Sequence, residues 1–403
     1  MGNERKVQWR TAGFTCLAIV LSLTTWFSAT AVLPELSVAW SLTAQQSAWI
    51  TGAVQAGFII GALASSALAL PDRFSLTRLM AFSALLAAVA NSVLLIEPGI
   101  HGAIAARFLT GFALAGVYPP SLKFIATWFR SGRGLAMGAM VGALTLGSAA
   151  PHLLRATGGV FDWTDIVAAT SVCCAISAAI FFMVLREGPW PFTKVSVNLR
   201  QFGSVLRSRP VMLANIGYFG HMWELYAMWA WLLAYSIAST ETGGFTGNAS
   251  LLVFAVIAIG CPGSLMAGWL ADRIGRCATT SVLMAISGTC AILIGFTFNG
   301  PNWAFCMVAI LWGLTVVSDS AQFSAAVTEL APQHLVGSAL AFQMGIGFAI
   351  TILTIWIVQH MAVVLGSWQW SLVVLLPGPV VGIVAMMILR KSEASLKLAQ
   401  GKR

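Results

Sequence analysis

The sequence predicts an all-α polytopic membrane protein with twelve transmembrane helices in two six-helix halves. Three observations lead to this fold class. The 403 residues are 58% hydrophobic and only 9% charged, which is far less charge than a soluble domain carries. A spanning helix uses about 20 apolar residues, so the chain has room for about twelve spans and no sizeable soluble domain. An Asp-Arg pair also occurs twice, nearly half the chain apart, at Asp72–Arg73 and Asp272–Arg273.

Apolar segments with short connections define the predicted spans. They cover residues 13–33, 49–70, 79–96, 102–125, 134–155 and 166–185, and then 215–235, 251–270, 280–298, 303–324, 338–358 and 370–389. The Asp-Arg pair follows the second span of each half, so both halves share one orientation. We therefore predict four regions: an N-terminal six-helix bundle at 1–185, a cytoplasmic basic linker at 186–210, a C-terminal six-helix bundle at 211–390 and a cytoplasmic tail at 391–403.

The net charge of +9 follows topology rather than a ligand. All of the 22 Lys and Arg except Arg107 and Arg155 fall in predicted segments that face one side. Cytoplasmic loops carry such a basic excess, so both termini are predicted to be cytoplasmic. This argues against a nucleic-acid partner and predicts a multi-pass protein of the plasma membrane, the inner membrane in a bacterium. The seven cysteines show no metal-ligand spacing, and we expect reduced thiols packed in helices.

The predicted seventh span, residues 215–235, carries His221 and Glu224 near its middle. A carboxylate at the centre of a membrane helix costs about 2.5–3.5 kcal/mol on insertion scales, so acids there usually mark a pathway or a proton relay. Helical spacing puts both residues on one stripe with Gly217, Met228, Trp231 and Tyr235. Lipid or neighbouring helices are expected around the other aromatic side chains, Phe219, Trp223, Tyr226 and Trp229. The alternative role for Glu224 is a hydrogen-bonded contact between helices.

A second buried acid, Asp319, is predicted in the tenth span. Polar side chains recur there at helical spacing, at Trp312, Thr315, Asp319 and Gln322. Burial in an apolar interior favours the protonated form of a carboxyl group. We therefore expect Glu224 or Asp319 to carry a coupling proton, with His221 relaying that proton or hydrogen-bonding the solute.

The first half contributes three basic side chains to predicted spans: Arg107, His152 and Arg155. Because a guanidinium stays protonated, Arg107 has to meet water, a carbonyl group or an acid. Three roles are open for it: an anion-binding group, a modulator of a proton-carrying acid, or a side chain that extends to the outer interface. For His152 and Arg155 an interfacial position is favoured.

Several aromatic and amide side chains within the spans are candidates to line a cavity. They are Trp26, Trp231, Trp312, Gln55 and Gln343. Most of the 16 Trp are expected in interfacial belts or in packing, so packing is the alternative for each indole.

The loops after the second and eighth spans resemble the signature loop of the major facilitator superfamily of secondary transporters. The second copy matches closely at Gly268, Asp272, Arg273, Gly275 and Arg276. The first copy keeps Asp72 and Arg73 but has Ser75 where glycine is usual. The superfamily's fourth-span pattern, an Arg followed by small residues four apart, is present at Arg107, Gly111 and Ala115.

This resemblance implies two bundles that alternate access to a central solute site. It also implies a gating role for the loop residues Asp72, Arg73, Asp272, Arg273 and Arg276. The fifth span departs from the superfamily's antiporter motif, because Gly147 and Pro151 lack the paired arrangement of that motif. The resemblance therefore predicts a transporter without assigning its substrate.

The sequence predicts a proton-coupled secondary active transporter that moves a small organic anion or zwitterion by alternating access. Cations in the first half and acids in the second suggest an anionic solute and separate proton carriers. The alternatives are proton-coupled efflux of hydrophobic or cationic compounds and, in another class, a membrane sensor that binds a solute without moving it. No nucleophile–base pair indicates an enzyme, and protons are the only coupling species expected. We expect a monomer whose partners are a small-molecule solute and the lipid bilayer, with no cofactor or metal.

Overall fold

The structure is a computed structural model that describes residues 2–68, 70–129, 133–157, 161–190, 202–332 and 335–402. Twelve long helices contain most of these described residues. These described residues contain no β-strand. We number the helices α1 to α12. The first six are α1 Gly2–Leu23, α2 Ala44–Ala67, α3 Leu76–Ser92, α4 Gly99–Ala126, α5 Arg133–Arg155 and α6 Trp163–Ala179. The second six are α7 Arg209–Glu241, α8 Ala249–Ile274, α9 Arg276–Thr297, α10 Asn302–Leu330, α11 Val336–Leu365 and α12 Pro377–Lys391.

Ten of these helices are long and apolar enough to cross a membrane. The other two are α1, which has 22 residues, and α7, which has 33. Both are long enough, but polar, charged and aromatic side chains lower their average hydropathy. Together the helices give the predicted all-α fold with twelve spans.

Several helices are interrupted near the middle of the predicted span. α4 stops after Leu114 and resumes at Tyr118, where Pro119 and Pro120 fit only the first turn of a helix. α8 stops after Ala258 and resumes at Gly260. The α1 segment ends at Leu23, and the short helices Ser28–Ala31 and Leu33–Ala39 follow it.

The interruption in α10 has a different cause. The helix stops after Val316 and resumes at Ser320, although no proline is present there. The Ser318 hydroxyl donates to the carbonyl oxygen of Leu314, and the Thr315 hydroxyl donates to that of Leu311 at 2.9 Å. Such side-chain bonds compete with the backbone ladder and favour a bend. Asp319 therefore lies at the start of a separate helical segment.

The chain divides into two compact units. One comprises residues 1–42 and 49–197, and the other comprises residues 43–48 and 198–403. The division falls in the predicted basic linker, where residues 191–201 lie outside the described part of the chain.

Each unit contains one very close crossing of its second and fourth long helices. A Cβ atom added at Gly57 on α2 would lie 1.8 Å from the carbonyl oxygen of Phe108, and one added at Gly111 on α4 would lie 1.9 Å from that of Val54. In the other unit, a Cβ atom at Gly313 on α10 would lie 2.0 Å from the carbonyl oxygen of Val256 on α8. Only glycine allows backbones to approach this closely.

The helix α7 lies at the centre of its unit and packs against α10, α11 and α12. Tyr226 and Trp229 are 5% and 0% exposed, so of the two expected environments, lipid or neighbouring helices, both side chains have the second. The Tyr226 ring lies 5.3 Å from that of Phe348 on α11. Burial around most of its circumference explains why α7 tolerates polar side chains.

Candidate functional site

The carboxyl group of Glu224 is buried and hydrogen-bonded through both oxygens. The side chain lies on α7 and is 2% exposed. Trp312 Nε1 on α10 donates to Oε1 at 2.6 Å, and the Ser287 hydroxyl on α9 donates to Oε2 at 2.9 Å. The same hydroxyl lies 3.2 Å from the carbonyl oxygen of Met284. Three helices therefore meet at this one carboxyl group.

His221 and Asp319 form a second buried pair in the same unit. Their Nδ1 and Oδ1 atoms lie 2.8 Å apart, and both side chains are almost fully buried. Asp319 precedes the α10 segment Ser320–Leu330, so its carboxylate lies near the positive end of a helix. The other ring nitrogen of His221, Nε2, has no hydrogen-bond partner among the described residues.

Two aromatic rings flank the imidazole of His221. The ring centroids of Tyr218 and Phe323 lie 5.9 Å and 5.7 Å from it, and 6.2 Å from each other. Gly347 on α11 leaves the space for Tyr218, because a Cβ atom there would lie 2.4 Å from Cε1 of that ring. The imidazole therefore has a polar partner on one nitrogen and apolar rings beside it.

Gln343 on α11 is fully buried, and only the oxygen of its side-chain amide has a hydrogen-bond partner among the described residues. The Ser324 hydroxyl donates to its Oε1 at 3.1 Å. Its Nε2 has no hydrogen-bond partner in the described part of the chain. Gln343 lies one helical turn before Gly347, the residue that borders the Tyr218 ring.

The polar residues of α10 do not form the continuous stripe that the sequence predicts. The break at residues 317–319 separates Trp312, which bonds Glu224, from Asp319, which pairs with His221. Gln322 lies beyond the break and accepts from Arg276 NH1 at 2.7 Å. Trp312, Asp319 and Gln322 therefore each have a different partner, because the helix does not continue past Val316.

Arg107 is fully buried, and its guanidinium bonds the interrupted end of α1. NH1 donates to the carbonyl oxygen of Thr25 at 2.9 Å, and NH2 donates to that of Trp26 at 2.5 Å. NH1 also donates to the Asn91 amide oxygen at 2.9 Å. The expected alternative of a side chain reaching the outer interface is therefore wrong, because chain carbonyl groups satisfy the charge internally.

Asn91 completes this cluster in the first unit. Its Nδ2 donates to the hydroxyl groups of Thr170 and Ser171 on α6 at 3.2 Å and 2.9 Å. Its Oδ1 also accepts from the Ser28 hydroxyl at 2.6 Å. The cluster therefore joins α3, α4 and α6 to the chain that follows α1.

His152 and Arg155 have different environments. Arg155 lies at a partly exposed position and pairs with Glu35, with Nε 2.8 Å and NH2 2.7 Å from Oε1. His152 is fully buried, so the interfacial interpretation is wrong for this residue. The charges of Arg107 and Arg155 are thus engaged within the chain, which removes the argument that these cations attract an anionic solute.

Three further candidates make contacts typical of packing. Trp231 donates from Nε1 to the Ile355 carbonyl oxygen at 2.8 Å and packs against the Trp368 ring. The Trp26 ring meets that of Phe58 edge-on at 5.1 Å. The Gln55 amide nitrogen, in the orientation that satisfies the amide, donates within its own helix to the carbonyl oxygen of Thr51 at 2.6 Å.

The second signature loop joins an ion-pair network. Arg276 binds Glu329 through Nε to Oε2 at 2.8 Å and through NH2 to Oε1 at 2.5 Å. Glu329 Oε2 also accepts from the backbone NH of Ala399, in the 3₁₀ helix Glu393–Gly401. The C-terminal segment is thereby attached to the C-terminal end of α10.

The other predicted gating residues are more exposed. Arg273 lies over the ring of Trp269, 3.9 Å from its centroid. Asp272 accepts from Lys402 Nζ through its main-chain oxygen. Arg73 is exposed, and the side chain of Asp72 lies outside the described part of the structure.

Sequence reasoning missed Ser287, Asn91 and Glu329. Serine is common in membrane helices, so nothing in the sequence distinguishes Ser287 from its neighbours. Asn91 is a lone amide within an apolar segment, and that signal was available. Among the described residues, no group of three or more His, Cys, Asp or Glu is arranged to hold a metal ion.

The helical fold and the acids within spanning segments define a polytopic membrane protein of the transporter class. The sequence model of the Major Facilitator Superfamily matches residues 15–343 and 238–403. The chain therefore belongs to this superfamily, whose members are transporters rather than enzymes.

Curated relatives are similar at low identity. The niacin transporter NiaP of Acinetobacter baylyi (strain ATCC 33305 / BD413 / ADP1) is 23% identical over 71% of this chain and 73% of its own. The 4-hydroxybenzoate transporter PcaK of the same strain is 21% identical over 91% of this chain and 85% of its own. These relatives support a secondary transporter of small organic compounds.

Solved structures share the fold. The proton:xylose symporter XylE, bound to 6-bromo-6-deoxy-D-glucose, has a TM-score of 0.71 at 14% identity and covers 96% of each chain. The nucleoside transporter NupG has a TM-score of 0.72 at 12% identity, covering 94% of this chain and 100% of its own. At such identities the likeness concerns the fold alone.

Proposed function

We propose that this chain is a proton-coupled secondary transporter of a small organic anion, with Glu224 as the proton-carrying group. The proposal includes a bacterial inner membrane, cytoplasmic termini and a monomer. It also includes a gating role for the Arg276–Glu329 pair, which must break if the cytoplasmic end of this unit opens. Two relatives are named as transporters of niacin and 4-hydroxybenzoate, which makes small aromatic acids the first solutes to test.

The observation that carries the proposal is the hydrogen bonding of Glu224. Trp312 Nε1 can only donate, so Oε1 accepts from it in either protonation state. The Ser287 hydroxyl can donate to an ionised Oε2. When Oε2 is protonated, the same hydroxyl can accept from it and donate to the Met284 carbonyl oxygen. The carboxyl group can thus gain or lose a proton without leaving a buried polar group unsatisfied.

Transport into proteoliposomes under an imposed pH gradient tests this function. The solutes are benzoate, nicotinate and 4-hydroxybenzoate, with tetraphenylphosphonium as the lipophilic cation. A gradient of about one pH unit is worth about 1.4 kcal/mol, so one proton per anion supports about tenfold accumulation. We expect Glu224→Gln to abolish this accumulation while keeping exchange of labelled for unlabelled anion. Glu241→Gln, an exposed change at the end of the same helix, is the matched control.

Three results would contradict the proposal. Gradient-driven accumulation in Glu224→Gln equal to that of the unchanged chain would exclude Glu224 as the proton carrier. Flux of the lipophilic cation alone would indicate efflux of hydrophobic cations, with Glu224 as their partner. Saturable binding of an anion without flux would indicate a sensor.

A further inference from the structure

We infer that His221 and Gln343 bind the two polar ends of a small aromatic anion, whose carboxylate lies at His221 Nε2. The inference rests on the proposed function and identifies the residues that recognise the solute. Its binding groups are distinct from Glu224, which both Trp312 and Ser287 already engage.

Two buried polar nitrogens without partners carry the inference. His221 is 2% exposed and Gln343 is 0% exposed. Within the described residues, Nε2 of each side chain lacks a hydrogen-bond partner. A buried polar group left unsatisfied costs about 1–3 kcal/mol, a cost that a bound acceptor removes. The pair is therefore poised for a ligand that carries oxygen acceptors.

The opposite ends of both side chains are fixed. Asp319 Oδ1 lies 2.8 Å from Nδ1 of His221, and the Ser324 hydroxyl donates to Oε1 of Gln343 at 3.1 Å. Because the oxygen of the amide is occupied by a donor, its NH2 group is the free end. These contacts with Asp319 and Ser324 therefore decide which atoms are left to bind a ligand.

The His221–Asp319 pair allows a carboxylate to bind together with a proton. With Nδ1–H directed at Asp319 Oδ1, 2.8 Å away, Nε2 can donate only when the imidazole carries both protons. The imidazolium charge then offsets the Asp319 carboxylate and leaves Nε2–H for the anion. The other titratable groups near the ring are Tyr218 and Glu224 on α7, while α11 presents Gly347 and Gln343. On α12, the uncharged Met386 borders Gly217 of α7.

The spacing and the apolar surroundings indicate the size and class of the ligand. Asp319 and Ser324 are five residues apart, or about 7 Å along a helix axis. This separation suits a single aromatic ring with polar groups at opposite positions. Phe323 lies between the two anchoring residues in sequence, and its ring and that of Tyr218 border the imidazole. Aromatic rings favour other rings at centroid distances of about 4.5–7 Å.

Equilibrium binding to the purified full-length chain tests the inference. The probes are benzoate, benzamide, which lacks the charge, and benzoate with a hydroxyl group at the para position. We expect His221→Gln to weaken benzoate binding about 10- to 100-fold and to leave benzamide binding unchanged. Gln343→Met, which keeps the side-chain volume, should make the two benzoates bind equally.

Two further variants separate recognition from folding. Asp319→Asn keeps an acceptor for Nδ1 but removes the countercharge, so it should also weaken benzoate binding selectively. His360→Gln on α11 changes a histidine that stacks on Trp356 and should have no effect. Unfolding temperatures measured on the same samples identify any variant that is simply unstable.

The results distinguish this inference from the proposed function. If the unchanged chain binds benzoate and His221→Gln binds it equally well, the inference is overturned and water satisfies these nitrogens. Proton-coupled anion transport would still stand in that case. If the unchanged chain binds no carboxylate and transports none, both proposals fail.

Discussion

Arg107 directs its charge at backbone carbonyl groups at the interrupted end of a helix. Its guanidinium donates to two carbonyl groups and an amide oxygen, which a planar fork of donors can reach at once. The lone Arg in an apolar segment was visible in the sequence. Two of its partners were not, because they are backbone carbonyl groups freed by a break that no sequence signal marks.

The substitution Arg107→Lys tests this structural role. An ammonium group cannot match the geometry of the fork, and the lost charged hydrogen bonds should cost at least about 2 kcal/mol. We expect a clearly lower unfolding temperature in detergent. Arg155→Lys, at a partly exposed position with one carboxylate partner, should have a much smaller effect. An unchanged unfolding temperature combined with lost anion transport would instead favour a binding or coupling role.

At the scale of elements, glycine determines how closely the helices of one unit pack.

The sequence predicted the existence and order of the long helices because their apolar segments are continuous. It did not predict the break in α10, because no proline or glycine lies at residues 317–319. It also underestimated α7, predicted at 215–235 and observed at Arg209–Glu241, because polar residues continue the helix at both ends.

The substitution Gly313→Ala tests the α8–α10 crossing. The added methyl group would lie 2.0 Å from the Val256 carbonyl oxygen, so the helices have to separate. We expect a loss of about 1–3 kcal/mol, measured as a lower unfolding temperature. Gly268→Ala on α8 is the matched control, since no atom lies within 4 Å of the added carbon. Equal unfolding temperatures for the two variants would show that the crossing tolerates a methyl group.

At the scale of the whole molecule, charge distribution predicts orientation in the membrane. The basic residues fall in segments on one predicted side, as cytoplasmic loops require. Composition alone was sufficient for this prediction, because a bilayer imposes the same constraint on every span. Which polar residues meet one another depended instead on helix packing, as Glu224 and Ser287 illustrate.

Labelling of introduced cysteines tests the orientation. Thr246→Cys lies at an exposed position between α7 and α8, and Lys397→Cys lies at an exposed position in the C-terminal segment. We expect a membrane-impermeant maleimide to label the first in intact cells and the second only after permeabilisation. The unchanged chain gives the background from its own cysteines. The reverse pattern would place the C-terminus outside.

The composition of α7 has a consequence for the biogenesis of this protein. This helix carries His221 and Glu224 and is not among the ten most apolar spans. It is synthesised before α9 and α10, which supply the hydrogen-bond partners of Glu224. A newly made α7 therefore enters the bilayer with an unpaired carboxyl group, at a cost of about 2.5–3.5 kcal/mol. Its stable insertion depends on later helices, so the helix with the proposed chemistry is fully stabilised in the membrane only once α9 and α10 have been made.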